Sequence, residues 1–194
     1  MPEGPWRLVI LGVTGAGKTT LAQQASQRLG IPHLEADAFF WGPDWTSTPR
    51  DEFRARIRQA VAQESWVFDG NYSKVRDIVW PRATHLIWLD YPFPLVFRRL
   101  LVRTARRVFL GLELWQGNRE SWRNALGRES ILWWAIRTWR RRRREYPQLL
   151  AQPEHAHLTV FRHTSPQATQ RWLQDLPRSL AELPEERHNG PTRP

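Results

Sequence analysis

Residues 6 to 29 pass from an apolar run through a glycine-rich octapeptide into a helix-compatible segment, and few folds accommodate that order. Trp6-Arg7-Leu8-Val9-Ile10-Leu11 is the apolar run, and Gly12-Val13-Thr14-Gly15-Ala16-Gly17-Lys18-Thr19 satisfies G-x-x-x-x-G-K-[ST] at every fixed position. Lys18 to Leu29 then carries helical patterning that Gly30 and Pro32 stop. Glycines at 12, 15 and 17 let the backbone fold into a concave nest of N–H groups around a phosphate, to which the helix start adds its positive dipole end. A nucleoside triphosphate is thus expected on Gly12, Thr14, Gly15, Ala16, Gly17, Lys18, Thr19 and Thr20. Lys18 would reach the β- and γ-phosphates, and the Thr19 hydroxyl would sit on Mg²⁺. The alternative is a glycine turn with a stray lysine. Only Lys18 and Lys74 are lysines among 29 basic residues, so a lysine at the motif position argues against accident.

The rest of the chain alternates strands with helices. His33 to Ala36 is expected as a second strand, Trp66-Val67-Phe68 as a third, Leu86-Ile87-Trp88-Leu89 as a fourth and Leu158-Thr159-Val160-Phe161 as a fifth. Thr48-Pro49 has the form of a helix N-cap and first-turn proline, with Phe53, Ile57, Ala60 and Val61 on the buried face, and Ser165-Pro166 begins another helix. Alternation of this kind predicts an α/β fold with a parallel sheet covered by helices. In such sheets ligands gather at the carboxyl ends of the strands, which places Asp37 and Asp69 beside the phosphate loop. Asp69 is a candidate to hold a magnesium water, or else to cap the next helix. Asp37 is a candidate base that positions an acceptor hydroxyl, or else an ordinary turn acid. Glu35 is a weaker candidate, and Asp90, before Tyr91-Pro92, is expected to start a helix.

Composition narrows the function classes. With no cysteine, disulfides, thiolate metal sites and cysteine nucleophiles are excluded. The N-terminus lacks the pattern of a signal peptide and no segment suits a membrane span, so a cytoplasmic protein without a membrane partner, monomer or homodimer, is expected. Residues 1–183 are expected to form one domain and residues 184–194 a frayed tail. The net charge of +10 is local: Arg98 to Arg144 holds 14 arginines against Glu113, Glu120 and Glu129, so this stretch alone carries +11. Its tryptophans (Trp115, Trp122, Trp133, Trp134 and Trp139) and the run Arg140 to Arg144 leave three readings: a phosphate-binding lid, a solvated face, or a nucleic-acid surface. Ile131, Leu132, Ala135, Ile136 and Trp139 form an apolar helical face, which favours core roles for the tryptophans.

Several segments resemble adenylate-kinase-related P-loop kinases, and more closely the branch of DNA-topology-modulation proteins. They are the phosphate loop, Asp37-Ala38-Phe39-Phe40-Trp41 with Trp45, Trp66-Val67-Phe68-Asp69-Gly70-Asn71-Tyr72 with Val75-Arg76-Asp77, Leu89-Asp90-Tyr91-Pro92 with Arg98 and Arg99, and Trp115-Gln116-Gly117-Asn118-Arg119-Glu120. The resemblance implies a three-layer P-loop NTPase fold with a five-stranded parallel sheet in order 2-3-1-4-5 and a helical lid over about residues 104–138. It implies ATP and Mg²⁺ as cofactors, with Asp69 supporting magnesium through water. Arg98, Arg99 and Arg103 would approach the phosphates, with Arg137 joining them from the helix returning from the lid. Phe40, Trp41, Gly70, Asn71 and Arg76 would face the acceptor. Asn71-Tyr72-Ser73 replaces the Phe-Pro-Arg of adenylate kinases, and the Thr-Gly-Asp segment is missing, so a nucleoside, polyol or other small hydroxyl compound suits the site better than AMP. The expected activity is transfer of the γ-phosphate of Mg-ATP to a small acceptor. The alternatives are a nucleic-acid-associated ATPase and a nucleotide-binding regulator without chemistry.

Overall fold

The computed structural model describes residues 5–118 and 131–176. Strand β1 (Arg7–Gly12) leads through the glycine loop into helix α1 (Lys18–Leu29), which is followed by β2 (His33–Glu35), α2 (Ala36–Phe40), α3 (Arg50–Ala60), β3 (Trp66–Asp69) and α4 (Arg76–Val79). The second half runs through β4 (His85–Leu89), α5 (Phe93–Phe109), α6 (Ile131–Leu150), β5 (Thr159–His163) and α7 (Pro166–Gln174). All five strands are parallel, in the order β2-β3-β1-β4-β5, as the resemblance implies. The expected tail at 184–194, the middle of the expected lid, Arg119, Glu120 and Trp122 lie outside the described residues. Among the described residues no helix is long and apolar enough to cross a membrane.

Alternation along the strands divides the core between the two sheet faces. From β1, Leu8 and Ile10 join Ala22 and Ala25 of α1, Val96 of α5 and Trp172 of α7 on one face. Val9 and Leu11 join Phe53 and Ile57 of α3, Val79 of α4 and Tyr146 of α6 on the other. Trp66, the largest fully buried side chain, donates its indole N–H to the Val61 carbonyl at 3.2 Å, so its burial leaves no polar atom unmatched.

Four local expectations are revised. The second strand ends at Glu35, and Ala36 opens α2, which moves Asp37 from a strand end into the first turn of a helix. Pro49, not Thr48, is the cap residue of α3, because the Thr48 hydroxyl is engaged by the Phe39 carbonyl at 3.1 Å. Asp90 caps nothing, since α5 starts at Phe93 after Pro92. Its buried carboxylate instead accepts from Arg162 (Nε, 3.0 Å) and pairs with Arg143 (Nε, 2.9 Å), tying α6 to the edge of β4 and β5. Finally, Trp133 and Ile136 are 54% and 39% exposed, so the buried stripe of α6 is Ala135, Thr138, Arg142 and Tyr146. The side chains of Ile131, Leu132 and Trp134 lie outside the described residues. Ser165 behaves as expected: its hydroxyl accepts from the Ala168 N–H ahead of Pro166.

Burial at the end of β5 has a measurable consequence. His163, packed on Trp172 and bonded to Thr169, has its pKa pushed down to about 4 by desolvation, against an ordinary 6.5. The folded protein thus binds this proton less readily than the unfolded chain. The stability it contributes is complete above pH 6.5 and is lost as pH falls toward 4. Between pH 7 and pH 5 this group alone should remove about 2 kcal/mol, and urea unfolding of His163→Gln should show a correspondingly flatter pH dependence than wild type.

Candidate active site

The phosphate loop is shaped by what packs beneath it. Gly17, at φ 96°, is the left-handed cap residue of α1, and no side chain caps that helix start. A Cβ on Gly15 would stand 2.8 Å from the Val96 carbonyl and 3.0 Å from Leu100 Cβ, so only glycine lets the loop lie this close to α5. That contact brings α5 arginines within reach of the loop. Arg103 donates to Thr14 Oγ1 at 3.2 Å, and Arg99 to the Ala16 carbonyl at 3.4 Å. Arg98 and Arg137 are exposed.

Behind the loop stand the carboxylates. Parallel register sets Asp69 beside Ile10 of β1 and Glu35 of β2, at the carboxyl edge of the sheet. The Thr19 hydroxyl donates to Asp69. Burial pushes the Asp69 carboxyl up from its ordinary value, while Lys18 and the Thr19 bond pull it back. Burial likewise pushes Lys18 down, against the opposing pull of Asp69 and then Asp37. A hydroxyl and a carboxylate are hard oxygen donors of the kind Mg²⁺ prefers, and their juxtaposition fits an ion held by Thr19 and, through water, by Asp69.

Asp37 reaches the same region from α2. The Tyr72 hydroxyl donates to its Oδ1, and Tyr72 is fixed by Phe40 and Phe53, whose ring centroids lie 4.9 and 5.3 Å away. Burial, followed by the Asp37 charge, pushes the Tyr72 pKa far upward, so the phenol remains a donor. Gly70 keeps β3 close to α2, since a Cβ there would overlap Ala36 Cβ. Asn71 joins the two halves of the site: its amide exchanges a reciprocal pair of hydrogen bonds with the backbone of Gly12, and Tyr146 of α6 donates to its Oδ1 at 3.2 Å.

Two contributors were not singled out by sequence. Arg142 is buried, and its charge is among those that depress Lys18. Five consecutive arginines conceal it, although the spacing Ala135, Thr138, Arg142, Tyr146 marks the inward face of α6. Asn118 is also buried, and it clasps two turns together. It accepts from the Trp45 N–H at 2.9 Å and donates to the carbonyls of Gly42 (2.9 Å) and Trp115 (2.8 Å). The clasp seats Trp115 against Glu35, whose carboxyl is raised by burial and lowered again by the bond to this indole. Asp44, Trp45 and Gln116 lie at φ 53–58° within these turns, an uncommon conformation for residues other than glycine.

Between the segment around residues 71–76 and α6 opens a cleft of about 610 Å³. Phe40, Asn71, Tyr72, Ser73, Lys74 and Arg76 line one side, and Arg141, Arg142, Glu145, Tyr146, Gln148, Leu149 and Gln152 the other. Arg76 lies over the Trp80 ring at 4.9 Å. Trp41 borders the region through its edge contact with Phe40 at 4.9 Å.

No protein-family model and no curated protein sequence matches this chain. Among solved structures, shikimate kinase from Bacteroides thetaiotaomicron is similar, with a TM-score of 0.55 and 16% identity over 91% of this chain and 99% of that one. Shikimate kinase from Acinetobacter baumannii in complex with shikimate gives 0.57 and 15% identity over 91% and 93%. A gluconokinase from Sinorhizobium meliloti 1021 gives 0.49 and 18% over 91% and 96%. The chain has the P-loop kinase fold of the two shikimate kinases. Similarity to the DNA-topology-modulation branch is a matter of sequence motifs, and the comparisons do not bear on it.

The clasp predicts a cost. Asn118→Ala leaves the Trp45 N–H and two carbonyls without their partner, which should destabilise the fold by about 2 kcal/mol. A chain of this size would then melt about 4–8 °C lower by calorimetry.

Proposed function

We propose that this protein is a kinase that transfers the γ-phosphate of Mg-ATP to a hydroxyl of a small molecule held in the cleft beside Asp37. The observation that carries the reading is the convergence of Lys18, Asp69 and Asp37 at one strand edge, where the charges of both carboxylates reach Lys18. A loop built only to hold nucleotide has no need of a second carboxylate positioned by a half-buried phenol. The fold neighbours add support, since two are named as shikimate kinases and one was solved with shikimate.

In the proposed reaction the acceptor oxygen attacks the γ-phosphorus, its bond to the oxygen bridging to the β-phosphorus breaks, and ADP leaves. Asp37 takes the proton of the attacking hydroxyl. Tyr72 holds Oδ1, which leaves Oδ2 to face the acceptor and fixes the plane of the carboxylate. Lys18, Arg103, Arg99 and Arg142 supply fixed positive charge around the transferring group, where partial burial strengthens their effect. A bound Mg²⁺ would supply neutralisation of the charge that develops during transfer. On this side the chain contributes the Thr19 hydroxyl and the Asp69 carboxylate. Catalysis by positioning and charge neutralisation needs no covalent intermediate.

The test is magnesium-dependent ADP formation from ATP across nucleosides, nucleotides, polyols and hydroxy acids. Asp37→Asn should lower kcat by 10²–10⁴-fold with little change in the KM for ATP, the signature of a lost general base. Tyr72→Phe should lose about tenfold, and Lys18→Ala should abolish turnover. ADP formation that responds to DNA and to no small acceptor would replace this reading with that of a nucleic-acid-associated ATPase.

A further inference from the structure

The cleft also bears on what kind of acceptor it takes. Its described walls carry four cations, Lys74, Arg76, Arg141 and Arg142, against one acid, Glu145. Glu145 is itself paired with Arg141 at 3.4 Å. The cations come from two separate parts of the chain, Lys74 just before α4 with Arg76 at its start, and Arg141 and Arg142 in the second half of α6, so the positive lining is a property of the cleft and not of one helix.

These charges divide by position. Arg142 and Arg103 are the cations whose fields reach Lys18, which places them on the nucleotide side. Lys74, 5.2 Å over the Phe40 ring, and Arg141 are exposed and line the same cleft as the neutral amides of Gln148 and Gln152. A site for an uncharged polyol needs donors and acceptors but gains nothing from excess positive charge. Facing cations suit an anionic group, because guanidinium and ammonium donors form their strongest hydrogen bonds with carboxylate or phosphate oxygens. Phe40, Tyr72 and Tyr146 give the same cleft aromatic surface against which an apolar or flat part of a molecule can lie.

On the footing that this protein is a kinase, we infer that its acceptor is an anion. One carboxylate or phosphate group is seated between Lys74, Arg76 and the arginines of α6, and the reactive hydroxyl lies at Asp37. The run Arg140 to Arg144 then serves two sides: Arg142 turns toward the transferring phosphoryl group, Arg141 toward the acceptor's own charge.

The experiment compares acceptors in matched pairs with wild-type enzyme and Mg-ATP: an aldonic acid with its alditol, a sugar phosphate with its free sugar, and a nucleoside monophosphate with its nucleoside. In at least one pair kcat/KM should favour the charged member by about a hundredfold or more, and the responding pair tells carboxylate from phosphate. In the double variant Lys74→Gln/Arg141→Gln, both positions being exposed, the charged-to-neutral ratio should fall at least tenfold. Arg141→Lys should retain most of it. A merely structural defect would lower both members together and leave the ratio intact. If neutral members are used as well as charged ones, or the ratio is unmoved in the double variant, the inference is overturned while the kinase reading stands. If no acceptor is phosphorylated although Mg-ADP still binds, the kinase reading falls and takes the inference with it.

Discussion

Lys18 sits where a lysine does not naturally rest. Burial disfavours its charge, and Arg142 and Arg103 disfavour it further, so the ammonium is tolerated because Asp69 and Asp37 stand against it. That balance constrains much of the surrounding architecture. Asp69 must end β3 in register with β1 and β2, and Asp37 must be brought back by a short helix immediately after β2. Asp69 is the buried member and Lys18 and Asp37 are half-buried, so removing Lys18 would leave the Asp69 carboxylate without its main opposing charge, which makes the three a unit more than a set of separate contributors.

The same edge is held together by neutral groups. Asn71 grips the backbone of Gly12 in both directions and accepts from Tyr146, so the start of the phosphate loop, the acceptor segment and α6 share one side-chain amide. Tyr72 does comparable work for Asp37, and Asn118 for the turns that flank Glu35. In the last two cases a neutral polar side chain fixes the surroundings of one that carries charge. Such arrangements keep the orientation of a carboxylate independent of pH while leaving its ionisation free to serve the chemistry.

Those parts of the molecule governed by local rules were legible in the sequence. The strand, loop and helix around Lys18 follow from glycine spacing and apolar periodicity, and Ser165-Pro166 announces its helix through capping chemistry alone. Parallel strands ending in acids at positions 69 and 90 were equally plain. What those acids do was not, because it depends on residues far along the chain: Asp90 reads as a cap until Arg143 and Arg162 converge on it from 53 and 72 positions away. Arg142 was obscured by four identical neighbours, and Asn118 by a segment whose significance lies in backbone groups it meets at Gly42 and Trp45. Trp133 departs from the expected core role for a related reason, whereas Trp139 packs against the core as expected. Apolar character on α6 extends around more than one face, and only the packed structure shows that Ala135 and Tyr146, not Trp133, mark the inner one.

The division of the core between two faces of one sheet has an implication for how such a molecule can change. The phosphate loop, α1, the start of α5 and α7 rest on one face, and α3, α4, the Tyr146 end of α6 and the aromatic wall of the cleft rest on the other. Side chains of alternate strand residues keep the two packing problems largely separate, although α6 reaches both, with Trp139 on one face and Tyr146 on the other. In the proposed kinase a lineage could therefore rebuild the cleft side, substituting around Phe40, with little repacking behind the phosphate loop. One side of the sheet would behave as inherited machinery and the other as raw material for new specificity.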